Sequence, residues 1–158
     1  AGSMSEGVIK DLEKSGKLCK QTAGVAQVED LLREAARDLA EAKRIKEIAE
    51  RATYLLAYNA MLKAGRALLL FHGLRPTDGG QHKTVVDVTS ALIGAQYRHL
   101  SDHFETMRRK RHEVTYEAGA LISLSEAAAA FDDAILLVKE VLKEVKKRNP
   151  QIELKFEI

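Results

Sequence analysis

The stretch ATYLLAYNAMLKAGRALLLF, residues 52–71, decides the fold of this chain. Its apolar residues recur at helical spacing and fill almost every face of the helix that they predict. A helix that is apolar nearly all round must be surrounded by other helices, so this stretch predicts the centre of a bundle. Gly73 follows closely and suits a C-terminal cap, because glycine tolerates the left-handed backbone that such caps use.

The residues before this stretch carry a second helical pattern that begins at Val28 and repeats every 3.6 positions. One unbroken helix over residues 28–72 would exceed normal globular lengths, so a turn is predicted near residues 43–47. Ser123 and Glu126 form a capping box that opens the last helix. Further helices are predicted over residues 5–22, 82–93, 95–111 and from this capping box to 149.

These patterns predict an all-α fold: an antiparallel up-and-down bundle of four core helices plus an N-terminal helix and a short extended C-terminal tail. Residues 1–3 precede Met4 and look like the remnant of a cleaved tag. The N-terminal helix is assigned to residues 4–24, the bundle to 25–149 and the tail to 150–158. The tail alternates apolar and polar residues as one strand would, and no partner strand is predicted.

Composition restricts the classes of function. A net charge of +2 is too small for bulk attraction of a polyanion, so any nucleic-acid contact must come from a local patch. Cys19 is the single cysteine, which excludes an internal disulfide and a metal site built from cysteines, and fits a cytoplasmic protein. No apolar run is long enough to span a membrane, and no secretion signal is recognisable.

Residues 107–116, MRRKRHEVTY, form the segment in which chemistry is most readily expected. Four adjacent cations make it a candidate for binding nucleic-acid phosphates: Arg108, Arg109, Lys110 and Arg111. The alternative is an ordinary solvated helix end. His112 follows the cations at once, and a tyrosine comes four residues later.

Several short motifs then occur in an order that resembles the HEPN family, over about residues 28–148. They are AYNA at 57–60, RALL at 66–69, HGLRP at 72–76, a histidine at position 82, the basic segment, and a capped last helix rich in alanine. The family consists of small helical bundles of prokaryotic toxin–antitoxin and defence systems.

The resemblance implies a chemistry as well as a fold. Many HEPN proteins are metal-independent ribonucleases that need no cofactor and act as dimers. Their motif is an arginine, then a polar residue, and a histidine five to seven positions after the arginine. The histidine handles the proton of the attacking 2′-hydroxyl, and the arginine stabilises the charge on the phosphate.

Residues 107–116 depart from that motif in either register. With Arg111 as the motif arginine, His112 is the polar residue and Tyr116 stands where the histidine belongs. With Arg108 as the arginine, His112 follows after only four positions, which still places both on one side of a helix. We favour the first register, which is typical of a degenerate member that keeps the scaffold, and take Arg111, His112, Arg108 and Tyr116 as candidate catalytic residues.

We therefore expect a HEPN-like protein that binds RNA or a nucleotide, as a homodimer, with an antitoxin protein as partner and a weak metal-independent endoribonuclease activity. The alternative is a non-catalytic helical module that binds a nucleotidyltransferase-type partner. A third hypothesis is a metal site on one helix face at His99 and His103. His82 is interpreted as a capping or packing residue at a helix start.

Overall fold

A computed structural model describes residues 2–77 and 81–158, with side chains described from Ser5 onward. The described residues form six α-helices, two short strands and one 3₁₀ turn. In chain order these elements are α1 (Gly2–Lys14), β1 (Leu18–Lys20), α2 (Val25–Ile45), α3 (Glu50–Phe71), β2 (Leu74–Pro76), α4 (Gln81–Ile93), the 3₁₀ turn (Ala95–Tyr97), α5 (Arg98–Tyr116) and α6 (Leu124–Arg148).

The central position of α3 is confirmed. This helix packs against α2, α4, α5 and α6, and twelve of its residues are buried. Gly73 follows it with a φ of +73°, as the cap prediction required. The predicted all-α class is also confirmed, because the only strands in the described residues are three residues long.

The turn that separates α2 from α3 lies at residues 46–49, next to its predicted position. No glycine or proline marks it. The amides of Ile48 and Ala49 both donate to the carbonyl oxygen of Ile45, and the helical backbone ends at Ala49, which has a φ of −142° and a ψ of 77°. Ile48 itself is 79% exposed at this end of the bundle.

The assignment of one helix to the N-terminal segment is wrong beyond Lys14. Gly16 adopts a φ of +74°, which ends the helix, and Leu18–Lys20 continues as a strand. This strand pairs antiparallel with Leu74–Pro76, with Cys19 opposite Arg75. The pairing ties the N-terminal segment to the end of α3. Residues 78–80, which follow the second strand, lie outside the described residues.

The last helix begins at the capping box as predicted: Glu126 N–H donates to Ser123 Oγ at 3.0 Å, and Ser123 N–H donates to Glu126 Oε1 at 3.1 Å. After Arg148 the tail is extended and has no strand partner within the described part of the chain. Ile152 is buried, and the alternate residues after it pack against the core. No helix among the described residues is long and apolar enough to cross a membrane.

Gly65 allows α3 and α4 to approach closely. A Cβ atom at this position would lie 2.7 Å from Thr89 Oγ1 and 2.8 Å from Val85 Cγ1, both on α4. Such distances are shorter than van der Waals contact, and both neighbouring residues are buried. The absence of a side chain at position 65 therefore sets the distance between these two helices.

The substitution Gly65→Ala is expected to lower the free energy of unfolding by about 1–3 kcal/mol, because an added methyl group overpacks the helix interface. The higher helix propensity of alanine, about 1 kcal/mol, offsets part of that loss. Urea unfolding measures the change. Gly7→Ala in α1 is the control, since a Cβ there meets nothing within 4 Å. Equal stability of the Gly65 variant and the wild type would contradict the close approach.

Candidate anion-binding site

Arg111 occupies a position on the core-facing side of α5. The buried residues of this helix are Leu100, Phe104, Met107 and Val114. Arg111 comes four residues after Met107 and three before Val114, so it continues the same stripe. It is half-buried, and its positive charge acts to lower the pKa of Tyr58 and the pKa of His82, which lie on neighbouring helices. A cation thus stands where the helical pattern would place an apolar residue.

The partner elements contribute a hydrogen-bonded pair, Tyr58 of α3 and His82 in the first turn of α4. The Tyr58 hydroxyl lies 2.8 Å from His82 Nδ1, and the two rings stack with centroids 5.7 Å apart. Tyr58 is fully buried and also packs against Phe104 of α5. This pair therefore lies where α3, α4 and α5 meet.

Burial raises the pKa of Tyr58 to about 12, although the charges of Arg111, Arg108 and Arg66 act in the opposite direction. The hydroxyl is therefore protonated at neutral pH and able to donate to His82 Nδ1. Within the described residues it has no other hydrogen-bond partner. A neutral imidazole that accepts this bond carries its own proton on Nε2, which leaves one N–H donor for a ligand.

Burial also lowers the pKa of His82 below its usual 6.5, and the positive charges of Arg111, Arg66 and Arg108 lower it further. The imidazole is thus neutral at pH 7. Three arginines from two helices lower the pKa of the same imidazole, so the surroundings of the ring are positively charged. We refer to Arg66, Arg108 and Arg111, with the Tyr58–His82 pair, as the arginine cluster.

One carboxylate, Glu105 of α5, offsets part of this charge. Arg108 donates to both of its oxygens, with Nε at 2.6 Å and Nη2 at 3.1 Å. Arg109 and Lys83 lie at 3.3 and 3.8 Å from the same carboxylate. The bond from Arg108 is the main cause that holds the pKa of Glu105 below its usual value. Glu105 is therefore ionised and shared among three cations.

The other two arginines of the cluster have no such partner. Arg66 Nη2 lies 3.5 Å from the amide oxygen of Gln81, the first residue of α4. Neither Arg66 nor Arg111 forms an ion pair with any Asp or Glu of the described residues. Partly buried guanidinium groups without carboxylates retain their capacity for an external anion, and their planar geometry suits phosphate oxygens.

The four candidate catalytic residues do not meet in one place within this chain. Arg108 and Arg111 lie with the arginine cluster. His112 and Tyr116 pack ring against ring with centroids 4.7 Å apart, and Tyr116 is 68% exposed. The helix was predicted to end near Arg111, but α5 continues through Tyr116, so Arg111 and Tyr116 point about 140° apart.

The rest of the basic segment is divided in the same way. Arg109 is 72% exposed, whereas Lys110 extends toward Glu126 at the start of α6, at 3.8 Å. The four adjacent cations thus face different surroundings, and the cluster contains two of them. The cluster also contains Arg66, Tyr58 and His82, which the sequence did not mark as functional.

The two histidines of the metal hypothesis are not joined by further ligands. His103 Nδ1 lies 2.6 Å from Asp133 Oδ2 of α6, and His99 is exposed. Among residues 2–77 and 81–158, no group of three His, Cys, Asp or Glu side chains could hold a metal ion. Cys19 is a free cysteine.

Comparison with known families gives one match: the HEPN domain, over residues 28–148. The matched region begins at the first buried residue of α2 and ends with the last residue of α6, so it includes the whole arginine cluster. None of the curated proteins matches this chain.

Proposed function

Because the chain belongs to the HEPN domain family, we propose that it binds RNA or a nucleotide through the arginine cluster. In this proposal it works in the cytoplasm, within a toxin–antitoxin or defence type system. One observation carries the proposal: Arg111 stands half-buried beside Tyr58 and His82 without a carboxylate partner among the described residues. Holding a cation in a core-facing position is costly unless an anion compensates it.

The proposal extends to a weak metal-independent endoribonuclease activity. Arg108 and Arg111 bind the phosphate, with Arg109 and Lys110 contacting the nucleic acid nearby, His112 transfers the proton and Tyr116 orients the substrate. Arg108 and His112 are four residues apart on α5, which puts them on one side of the helix. The rings of His112 and Tyr116 are exposed and in contact, which supports joint access to a substrate.

Cleavage of a labelled RNA in the presence of EDTA tests this activity. His112→Ala is expected to slow cleavage by about 100-fold or more if His112 transfers the proton. Glu41→Ala is the control, because Glu41 is an exposed residue of α2, which carries none of the proposed site residues. Unchanged cleavage by the His112 variant would reject its role. A wild type that binds RNA without cutting it would reduce the proposal to binding.

A homodimer is part of the same proposal, and one end of the bundle supports it. Four large apolar side chains are more than half exposed there: Ile48, Tyr116, Leu121 and Leu124. They belong to the α2–α3 turn, the end of α5, the loop between α5 and α6, and the start of α6. Arg51 Nη2 donates to the carbonyl oxygen of Val114 at 3.2 Å, and this bond connects the start of α3, just after the α2–α3 turn, with the end of α5. A second copy that covers this end would bring two sets of His112 and Tyr116 together.

The same exposed end supports the second candidate function, a non-catalytic module that binds a nucleotidyltransferase-type antitoxin. Analytical ultracentrifugation separates the two. A dimer that Leu121→Glu converts to a monomer would favour pairing of this chain with itself. A wild-type monomer would favour a different protein as the occupant of this surface.

A further inference from the structure

The charges of the arginine cluster do not balance. Three guanidinium groups, those of Arg66, Arg108 and Arg111, act on His82, and Glu105 is the carboxylate bonded to one of them. Lys83 lies between Glu105 and Asp87, at 3.8 and 3.2 Å, and so adds little. Among the described residues, these three guanidinium groups and Glu105 leave a surplus of two positive charges around a neutral imidazole, and Arg109 is a further, exposed cation on Glu105.

The cluster is also partly enclosed. Tyr58 is fully buried beneath it, and the side chains of Arg108 and Glu105 are only 24% and 22% exposed. In such surroundings solvent screens charge less than at an open surface, so the charge of a ligand should match that of the site.

A phosphodiester inside an RNA strand carries one negative charge and continues into the chain on both sides. A phosphate monoester carries close to two negative charges at neutral pH and has three free oxygens. Those oxygens can accept bonds from guanidinium groups on two sides and from the Nε2–H of His82.

On the basis of the proposed function, we propose that the arginine cluster binds a terminal phosphate monoester, at the end of an RNA strand or on a mononucleotide. Arg66 and Arg111 then hold the phosphate oxygens from α3 and α5. Tyr58 fixes the imidazole of His82 through the 2.8 Å bond so that its second nitrogen faces the ligand. Glu105 orients Arg108 by its two hydrogen bonds.

Fluorescence anisotropy with two RNA oligonucleotides of one sequence tests the preference. Both carry a 3′ fluorophore, and they differ only in a 5′-phosphate or a 5′-hydroxyl. The phosphorylated RNA is expected to bind about tenfold tighter, as one set of charge-assisted hydrogen bonds would give. Arg66→Met should abolish the difference, while Arg44→Met should leave it unchanged, because Arg44 is exposed in the last turn of α2, which carries no residue of the cluster. Competition by AMP but not adenosine would extend the site to free nucleotides.

An NMR titration of His82 gives a second readout. A bound phosphate adds negative charge beside the imidazole, so its pKa should rise on saturation with AMP and stay constant with adenosine, opposite to the effect of Arg66, Arg108 and Arg111. The other polar groups around His82 are Tyr58, Gln81, Lys83, Asp87 and Glu105. The same groups surround it in both titrations, so the two titrations differ only in the phosphate of the ligand.

Two failures are distinguishable. Equal affinity for both RNA ends, with no shift at His82, would overturn the monoester assignment and leave RNA binding intact. No binding of either RNA or of AMP would overturn the proposed function itself.

Discussion

Replacing Arg111 with methionine is expected to abolish most of the affinity for RNA without lowering the stability of the fold. The loss should be about 10–100-fold, because charged hydrogen bonds contribute about 1.5–3 kcal/mol. Methionine has an unbranched side chain and suits irregular apolar gaps, and position 111 lies between the buried Met107 and Val114. Removing a half-buried cation there should therefore be neutral or stabilising.

Anisotropy at low ionic strength measures the binding, and thermal unfolding measures the stability. A gain of about 1 kcal/mol would appear as a rise of about 2–4 °C in Tm for a domain of this size. Arg44→Met is the matched control, since Arg44 is an exposed arginine in the last turn of α2, which carries no residue of the cluster. A methionine variant that binds as tightly as wild type, or that unfolds, would show that Arg111 is a structural residue.

A second large effect is expected in the core. Leu137→Ala in α6 should lower the free energy of unfolding by about 2–5 kcal/mol, because a fully buried leucine is replaced by a cavity. Leu136 precedes it on the same helix and is 39% exposed, so Leu136→Ala should cost well under half as much. Urea unfolding of both variants measures the difference.

The two substitutions remove the same atoms from neighbouring positions of one helix, so helix propensity cancels between them. A similar loss from both would contradict the described orientation of α6. A small loss from Leu137→Ala alone would mean that the surrounding helices collapse into the space.

The parts of the fold that could be predicted are those coded locally. The all-round apolar pattern of residues 52–71 identified the central helix, and Ser123 with Glu126 located the start of α6 to the residue. Each signal is contained within one helix, where the physical cause and the sequence pattern coincide.

The strand pair could not be predicted, because neither strand is stable alone. Leu18–Lys20 and Leu74–Pro76 are three residues each and far apart in the chain. Their pairing follows from the positions of the helices that they join, and strand propensity depends strongly on such context. The end of α5 was predicted too early, near residue 111, although no glycine or proline stands between that residue and Gly119.

Only those residues of the candidate site that are neighbours in the sequence could be predicted. Arg108 and Arg111 were visible as a run of cations, and the nearest histidine in sequence was His112. The structure instead brings these arginines beside His82 of another helix. Tyr58 was hidden because its ring belongs to the apolar pattern while its hydroxyl belongs to the site.

The glycine at the crossing of α3 and α4 has a consequence for ligand recognition. His82 precedes Val85 by less than one helical turn, and Val85 is one of the two residues that a methyl group at position 65 would strike. A bulkier residue there would tilt or lift the helix that carries the imidazole and stretch its bond to the buried phenol. A substitution at the buried position 65 would thus change the ligand specificity of the proposed site without replacing any charged side chain.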